Sequence, residues 1–184
     1  MNTIQVTDQI RLERLRLEHA PDVLKVVNTN LSHLRNWLPW LETKPTLEME
    51  QAFIQTTMDQ YQQGLGPHFA IFYDEALCGI NAFHPIDKLN RKGSIGYWLA
   101  ESHTGLGIMT LTTRSLLQLG FQEFGLHKIV IHCATQNHKS RASPERLGMK
   151  HEATLRDAEW LYDHYVDHAV YSMLESEFPD AASN

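Results

Sequence analysis

Residues 96–110 read GYWLAESHTGLGIMT, the end of an apolar strand, a glycine-bearing turn and the start of a helix in immediate succession. Such a junction gathers the unpaired N–H groups of a helix's first turn with the positive end of its dipole, and so forms an anion site. Gly105 and Gly107 let the backbone approach a diphosphate closely, with N–H donors at Gly105, Leu106, Gly107 and Ile108. A glycine pair at a strand-to-helix turn also has a purely steric explanation, so the turn alone names no ligand.

Upstream of this stretch, HFAIFY (68–73), ALCGINAF (76–83) and GSIGYWLA (93–100) are three successive strand candidates, the first two joined by Asp74 and Glu75. They predict an antiparallel meander. Earlier still, IRLERL (10–15) alternates as a half-buried strand does, and APDVLKVVN (20–28) has helical spacing with Pro21 in its first turn. The aromatic run LSHLRNWLPWL (31–41) is broken by Pro39, after which Thr46 caps a helix with an acidic first turn that ends at Gly64. Downstream, a helical pattern spans Gly107 to Gly125 and KIVIHC (128–133) is a β-branched strand. A short helix from Asn137 to Leu147 stops at Gly148, and two strands, Met149 to Leu155 and Tyr165 to Leu174, close the pattern before a frayed tail ending PDAASN. The order predicts an α+β domain built on one mixed, mostly antiparallel sheet flanked by helices.

With 184 residues, 42% of them hydrophobic, the chain fits one domain over 1–184, with an ordered core from about 8 to 175. Its 22 acidic and 16 basic residues are spread without a basic block, which argues against a general grip on nucleic acid and favours a cationic substrate such as an amine. Cys78 and Cys133 sit in apolar runs and are expected as buried, reduced thiols, in keeping with a cytoplasmic protein. No run reaches the roughly 18 apolar residues of a membrane span, and the N-terminus lacks the features of a signal peptide. His164 and His168 have i, i+4 spacing but flank a strand without a third ligand, so no metal is expected. His132 and Cys133 are neighbours on a strand, point to opposite faces and make a poor catalytic dyad.

Residues 137–148, NHKSRASPERLG, resemble the N-x-x-S-x-x-x-x-E-R-L-G-F signature of the GNAT N-acetyltransferases, with Met149 in place of the final Phe. The turn at 104–109 resembles that family's Q/R-x-x-G-x-G/A loop: Thr104 stands at the Gln/Arg position, Gly107 at the central glycine and Met109 at the last small residue, while Leu106 lacks the basic side chain often found there. The resemblance covers nearly the whole chain and is closest to the RimJ/RimL ribosomal-protein N-terminal branch. It implies the GNAT fold, with acetyl-CoA as co-substrate. The cofactor-binding residues it implies are Trp98, Leu99 and Ala100 on the strand, Thr104, Gly105, Leu106, Gly107, Ile108 and Met109 in the turn, and Asn137 on the pantetheine arm.

The same resemblance implies that Ser140 faces the thioester sulfur and that Glu159, in EATLRDAEWLYD (152–163), is the base. Read from the residues alone, Asn137 is equally a helix cap, and Ser140 and Glu159 are equally solvated side chains. Glu145 and Arg146 read as structural, since exposed helical ion pairs contribute only about 0.3 to 0.5 kcal/mol. Trp37 and Trp40 suit a substrate-binding wall, and Tyr97 and Trp98 suit the core. The implied reaction is direct acetyl transfer to a primary amine, with backbone N–H groups of residues 98–100 stabilising the thioester oxyanion. The implied acceptor is the N-terminal α-amine of a ribosomal protein. A small amine such as a polyamine or aminoacyl antibiotic, or a CoA-binding sensor without turnover, are the alternatives. Related enzymes often dimerise, which makes a homodimer an expectation, with no direct nucleic-acid or membrane partner.

Overall fold

The strand β3, His68–Tyr73, organises the fold because it is buried on both faces. Phe69 and Ile71 enter one apolar core, and Ala70 and Phe72 enter another on the opposite side. A strand covered twice needs helices on both sides of its sheet. The computed structural model, which describes residues 2–179, supplies them. Helices α1 (Ala20–Thr29), α2 (Leu31–Leu34) and α3 (Leu47–Gln62) cover one face through Val23, Val27, Leu34 and Ile54. Helix α4 (Ile108–Gln118), extended by a π-turn over Leu119–Glu123, covers the other through Ile108, Leu116 and Leu117.

Eight strands form the sheet, in the order β1-β2-β3-β4-β5-β6-β8-β7. They are β1 (Thr3–Gln5), β2 (Ile10–Arg14), β3, β4 (Ala76–Phe83), β5 (Lys92–Leu99), β6 (Lys128–Ala134), β7 (Lys150–Leu161) and β8 (His164–Leu174). Only β5 and β6 pair in parallel, and the remaining neighbours are antiparallel. Helix α5 (His138–Arg146) connects β6 to β7. The expected α+β class and mixed sheet are therefore present. The meander is present as well, with Asp74 and Glu75 at φ 45° and 68° in the tight turn.

The sheet has three register shifts, a minor one at Glu152 in β7 and two that reshape it. Between β3 and β4 the register moves from Ile71 opposite Gly79 to Phe72 opposite Leu77, which leaves Cys78 as a bulge. The extra residue reverses the alternation. Leu77, Ile80 and Ala82 face the α1–α3 core while Cys78 and Phe83 face the α4 core. Asn81 falls on the α4 side, where its fully buried amide donates to the Thr112 and Thr113 hydroxyls at 3.2 and 3.1 Å. The second irregularity corrects the expected end of β7 at Leu155. Leu155 pairs with His168 and Glu159 with Val166, so β7 takes four steps where β8 takes two and then continues to Leu161. Asp157 at φ 48° makes the turn, and its N–H donates to the Asp167 carboxylate at 2.9 Å.

The chain adds two features that the sequence pattern did not indicate. Strand β1 pairs with β2 at the sheet edge, and Phe178 packs its ring 5.5 Å from that of Phe121. Of the expected frayed tail, residues 180–184 lie outside the described residues.

Candidate active site

The parallel pair β5–β6 consists of four residue pairs, from Lys92 with Lys128 to Ile95 with Ile131. Beyond them the strands part. On the other side of β5, Ser94 C=O accepts from His84 N–H at 2.9 Å and Ala100 N–H donates to Cys78 C=O at 2.8 Å. By the alternation of an antiparallel ladder, the backbone of Trp98 is also turned to β4, and that of Tyr97 and Leu99 faces the gap. This corrects the expected donor set. Of Trp98, Leu99 and Ala100, only Leu99 turns its N–H toward the opening.

A cleft of about 1380 Å³ occupies the gap and runs on to the wall formed by α3 and the 37–40 segment. Trp98, Leu99, Thr104, Gly105, Gly107, Ile108 and Met109 line it, as do Asn137, Ser140, Glu159, Trp37 and Trp40. Ala100 and Leu106 do not: Ala100 is buried, and Leu106 is turned to solvent. Tyr97 and Trp98 pack against the two cores as expected, and both also reach the cleft.

At one end lies the glycine turn. Gly105 and Gly107 have φ 85° and 77°, a region costly for residues with a side chain, and a Cβ at either would meet nothing within 4 Å. Gly107 is the N-cap of α4 and has no side-chain cap, so the helix's first N–H groups remain free for an anion. Thr104 Oγ1 is occupied with the Glu101 carbonyl at 2.8 Å. The Lys and Arg side chains that line the cleft are those of Lys139 and Arg146, both on α5.

Across the gap, Asn137 caps α5 by accepting from Ser140 N–H at 3.1 Å. This places Ser140 opposite β5, where its hydroxyl donates to Cys133 Sγ at 3.3 Å and its carbonyl accepts from Tyr97 Oη at 2.9 Å. Burial raises the pKa of both Tyr97 and Cys133, so each is neutral at pH 7. Glu145 acts as its structural reading implies: it accepts from Tyr171 Oη at 2.6 Å and ties α5 to β8.

The bulge in β7 carries Glu159 into the cleft, where Oε2 lies 3.5 Å from His168 Nε2. His168 in turn stands edge-on to His132 with ring centres 6.0 Å apart. His68 and His84 line the same cleft. Burial holds His84 and His132 below the usual imidazole range and pushes His68, which also feels His84, to about 4. Sequence reading missed this group of four histidines. Its one signal was that each interrupts or ends an apolar strand. His132 and Cys133 point to opposite faces, yet both reach the cleft because it passes through the parted sheet. Among the described residues no cluster of three His, Cys, Asp or Glu side chains suits a metal ion. Among them, too, no helix is long and apolar enough to cross a membrane.

A family model described as an acetyltransferase (GNAT) domain matches residues 9–150. The chain belongs to the GNAT acetyltransferase family. This GNAT chain is 30% identical over 172 residues to the ribosomal-protein-serine acetyltransferase of Escherichia coli strain K12, covering 94% of itself and 96% of that relative. It is 32% identical over 179 residues to the putative ribosomal N-acetyltransferase YdaF of Bacillus subtilis strain 168, covering 97% and 98% of the two chains. Among solved structures, RimL, a ribosomal L7/L12 alpha-N-protein acetyltransferase in complex with coenzyme A, matches with a TM-score of 0.90 at 26% identity, over 94% of this chain and 98% of that one. The microcin C7 self-immunity acetyltransferase MccE, in complex with acetyl-CoA and AMP, matches with a TM-score of 0.87 at 29% identity, over 93% and 95%.

Proposed function

We propose that this enzyme transfers the acetyl group of acetyl-CoA to the N-terminal α-amine of a protein, and that the acceptor is a ribosomal protein. The observation that carries the reading is that Glu159 and Ser140 both line one cleft that opens where β5 and β6 part. The uncapped turn at Gly107 and the cations of Lys139 and Arg146 suit the diphosphate and anionic end of the co-substrate. When bound, acetyl-CoA supplies an acetyl group activated as a thioester.

The chain's own groups divide the remaining work. Leu99 N–H, unpaired and turned into the gap, donates to the thioester carbonyl oxygen as negative charge gathers there. Glu159 takes a proton from the acceptor ammonium, directly or through a water, and leaves a nucleophilic amine. Ser140 exchanges its bond to the Cys133 thiol for one to the departing sulfur. The amine nitrogen joins the acetyl carbon, the carbon–sulfur bond breaks, and the nitrogen's next proton passes through Ser140 to the departing sulfur, which leaves as a thiol.

Protonation favours an α-amine over lysine. With a pKa of about 7.7 to 8.0, an α-amine is roughly a tenth neutral at pH 7, whereas lysine near 10.4 is neutral in less than about one part in a thousand. One carboxylate therefore has less to do. Small α-amines meet the same condition, and the ribosomal acceptor rests on the relatives described above. The test offers acetyl-CoA with a Ser-initiated peptide, the same peptide N-terminally blocked but containing lysine, and a polyamine. The Ser-initiated peptide is expected to react fastest, and faster acetylation of either other acceptor overturns the reading.

A further inference from the structure

Glu50 lies on the inner face of α3 with Ile54 and Thr57, at helical spacing, and is only 5% exposed. It lines the cleft beside Trp37, Trp40 and Phe53. Among the described residues no cation or hydrogen-bond donor meets its carboxyl, and burial alone raises its pKa. Its oxygens open to the cleft, so an acceptor that fills the cleft without offering a donor leaves the carboxyl unpaired, which is costly. The dipole of α3 favours an acid in the first turn, but Glu48 has that benefit while exposed, so the dipole does not account for burial. A second polar group stands in the same wall: His68 Nδ1 is fully enclosed without a partner, and its ring packs edge-on to Phe53 at 5.9 Å. This polar spot in an aromatic wall belongs to none of the elements assigned above to acetyl-CoA.

We propose that Glu50 determines acceptor specificity: its carboxylate accepts a hydrogen bond from a second donor on the acceptor, the side-chain hydroxyl of an N-terminal serine. The proposal rests on the reading of the acceptor as an N-terminal amine. An acceptor without the hydroxyl leaves Glu50 buried and unpaired, and sites built to hold a substrate hydroxyl discriminate strongly against analogues that lack one.

The test compares kcat/KM for Ser- and Ala-initiated peptides of otherwise identical sequence, and for 2-aminoethanol against 2-methoxyethylamine, whose ether oxygen keeps the amine about as acidic but has no proton to donate. A diamine forms a third arm. Wild type is expected to favour the hydroxyl-bearing member of each pair by about tenfold or more. In Glu50→Leu the preference should fall to near one, chiefly through KM, while CoA affinity measured by calorimetry is unchanged. Glu50→Gln keeps an accepting oxygen and should retain part of the preference. Equal rates in wild type for both pairs overturn the proposal, even if Glu50→Leu fails to fold. So does a Glu50→Leu defect confined to the diamine, which would assign Glu50 to a second cation. If wild type acetylates neither peptide yet separates aminoethanol from 2-methoxyethylamine through Glu50, the protein-terminus reading falls and the assignment of Glu50 stands.

Discussion

Glu159 and Ser140 handle different protons, so their substitutions should separate. Glu159→Gln keeps the shape and removes the base; turnover at pH 7 is expected to fall by roughly 10² to 10⁴ with CoA affinity unchanged. Full turnover with chemistry rate-limiting would remove Glu159 from the reaction. Ser140→Ala should slow transfer less, because water can take the place of the hydroxyl beside Cys133, and a wild-type rate would leave Ser140 as an ordinary helix residue. His68 gives a stability prediction. Its folded pKa of about 4 lies below the ordinary 6.5, so between those values the unfolded chain binds the extra proton and folding weakens as pH falls. The slope is about 1.4 kcal/mol per pH unit, and the contribution is lost once pH drops below about 4. Chemical denaturation at pH 6.5 and pH 5 should therefore show wild type losing about 2 kcal/mol more than His68→Gln. Equal losses would mean that His68 is protonated in the folded state.

At the scale of elements, the glycine turn makes the sharpest prediction. A side chain at Gly107 meets no neighbour, so the cost of Gly107→Val comes from its φ of 77°. That strain, about 1 to 2 kcal/mol, moves the N–H groups that face the anion. CoA binding measured by calorimetry should weaken about tenfold or more. Unchanged affinity in a folded variant would place the diphosphate elsewhere. The turn was legible in sequence because glycines and a following helix are local signals, and the meander at 68–83 was legible because its strands are rich in β-formers around a two-residue turn. Asn137 and Ser140 were legible for the same reason, since cap and capped residue sit three apart. What escaped depends on partner strands. The bulge at Cys78, which turns Asn81 toward α4, and the one that carries β7 on past Asp157 are set by register with a neighbour. So is the direction of each N–H on β5, which removed Ala100 from the expected donors. The grouping of His68, His84, His132 and His168 joins four strands or strand ends far apart in the chain, and no local pattern announces it.

Over the whole molecule, the net charge of −6 should draw basic acceptors in by long-range attraction, which salt screens. Raising ionic strength is expected to lower kcat/KM for a Ser-initiated peptide with lysines further along, and to leave an uncharged peptide nearly unaffected. Identical salt responses would show that encounter is not electrostatically steered. The parting of β5 from β6 has a different signature. Four residue pairs hold the two parts of the sheet together, and past Ile95 the amides of β5 alternate between a bonded edge and an open one. Hydrogen–deuterium exchange should resolve this as two rates interleaved along one strand, with Tyr97 and Leu99 labelling quickly and Trp98 and Ala100 slowly. Adding acetyl-CoA should slow the quick pair and leave the slow pair as it was, a residue-by-residue imprint of the ligand that needs no acceptor and no turnover.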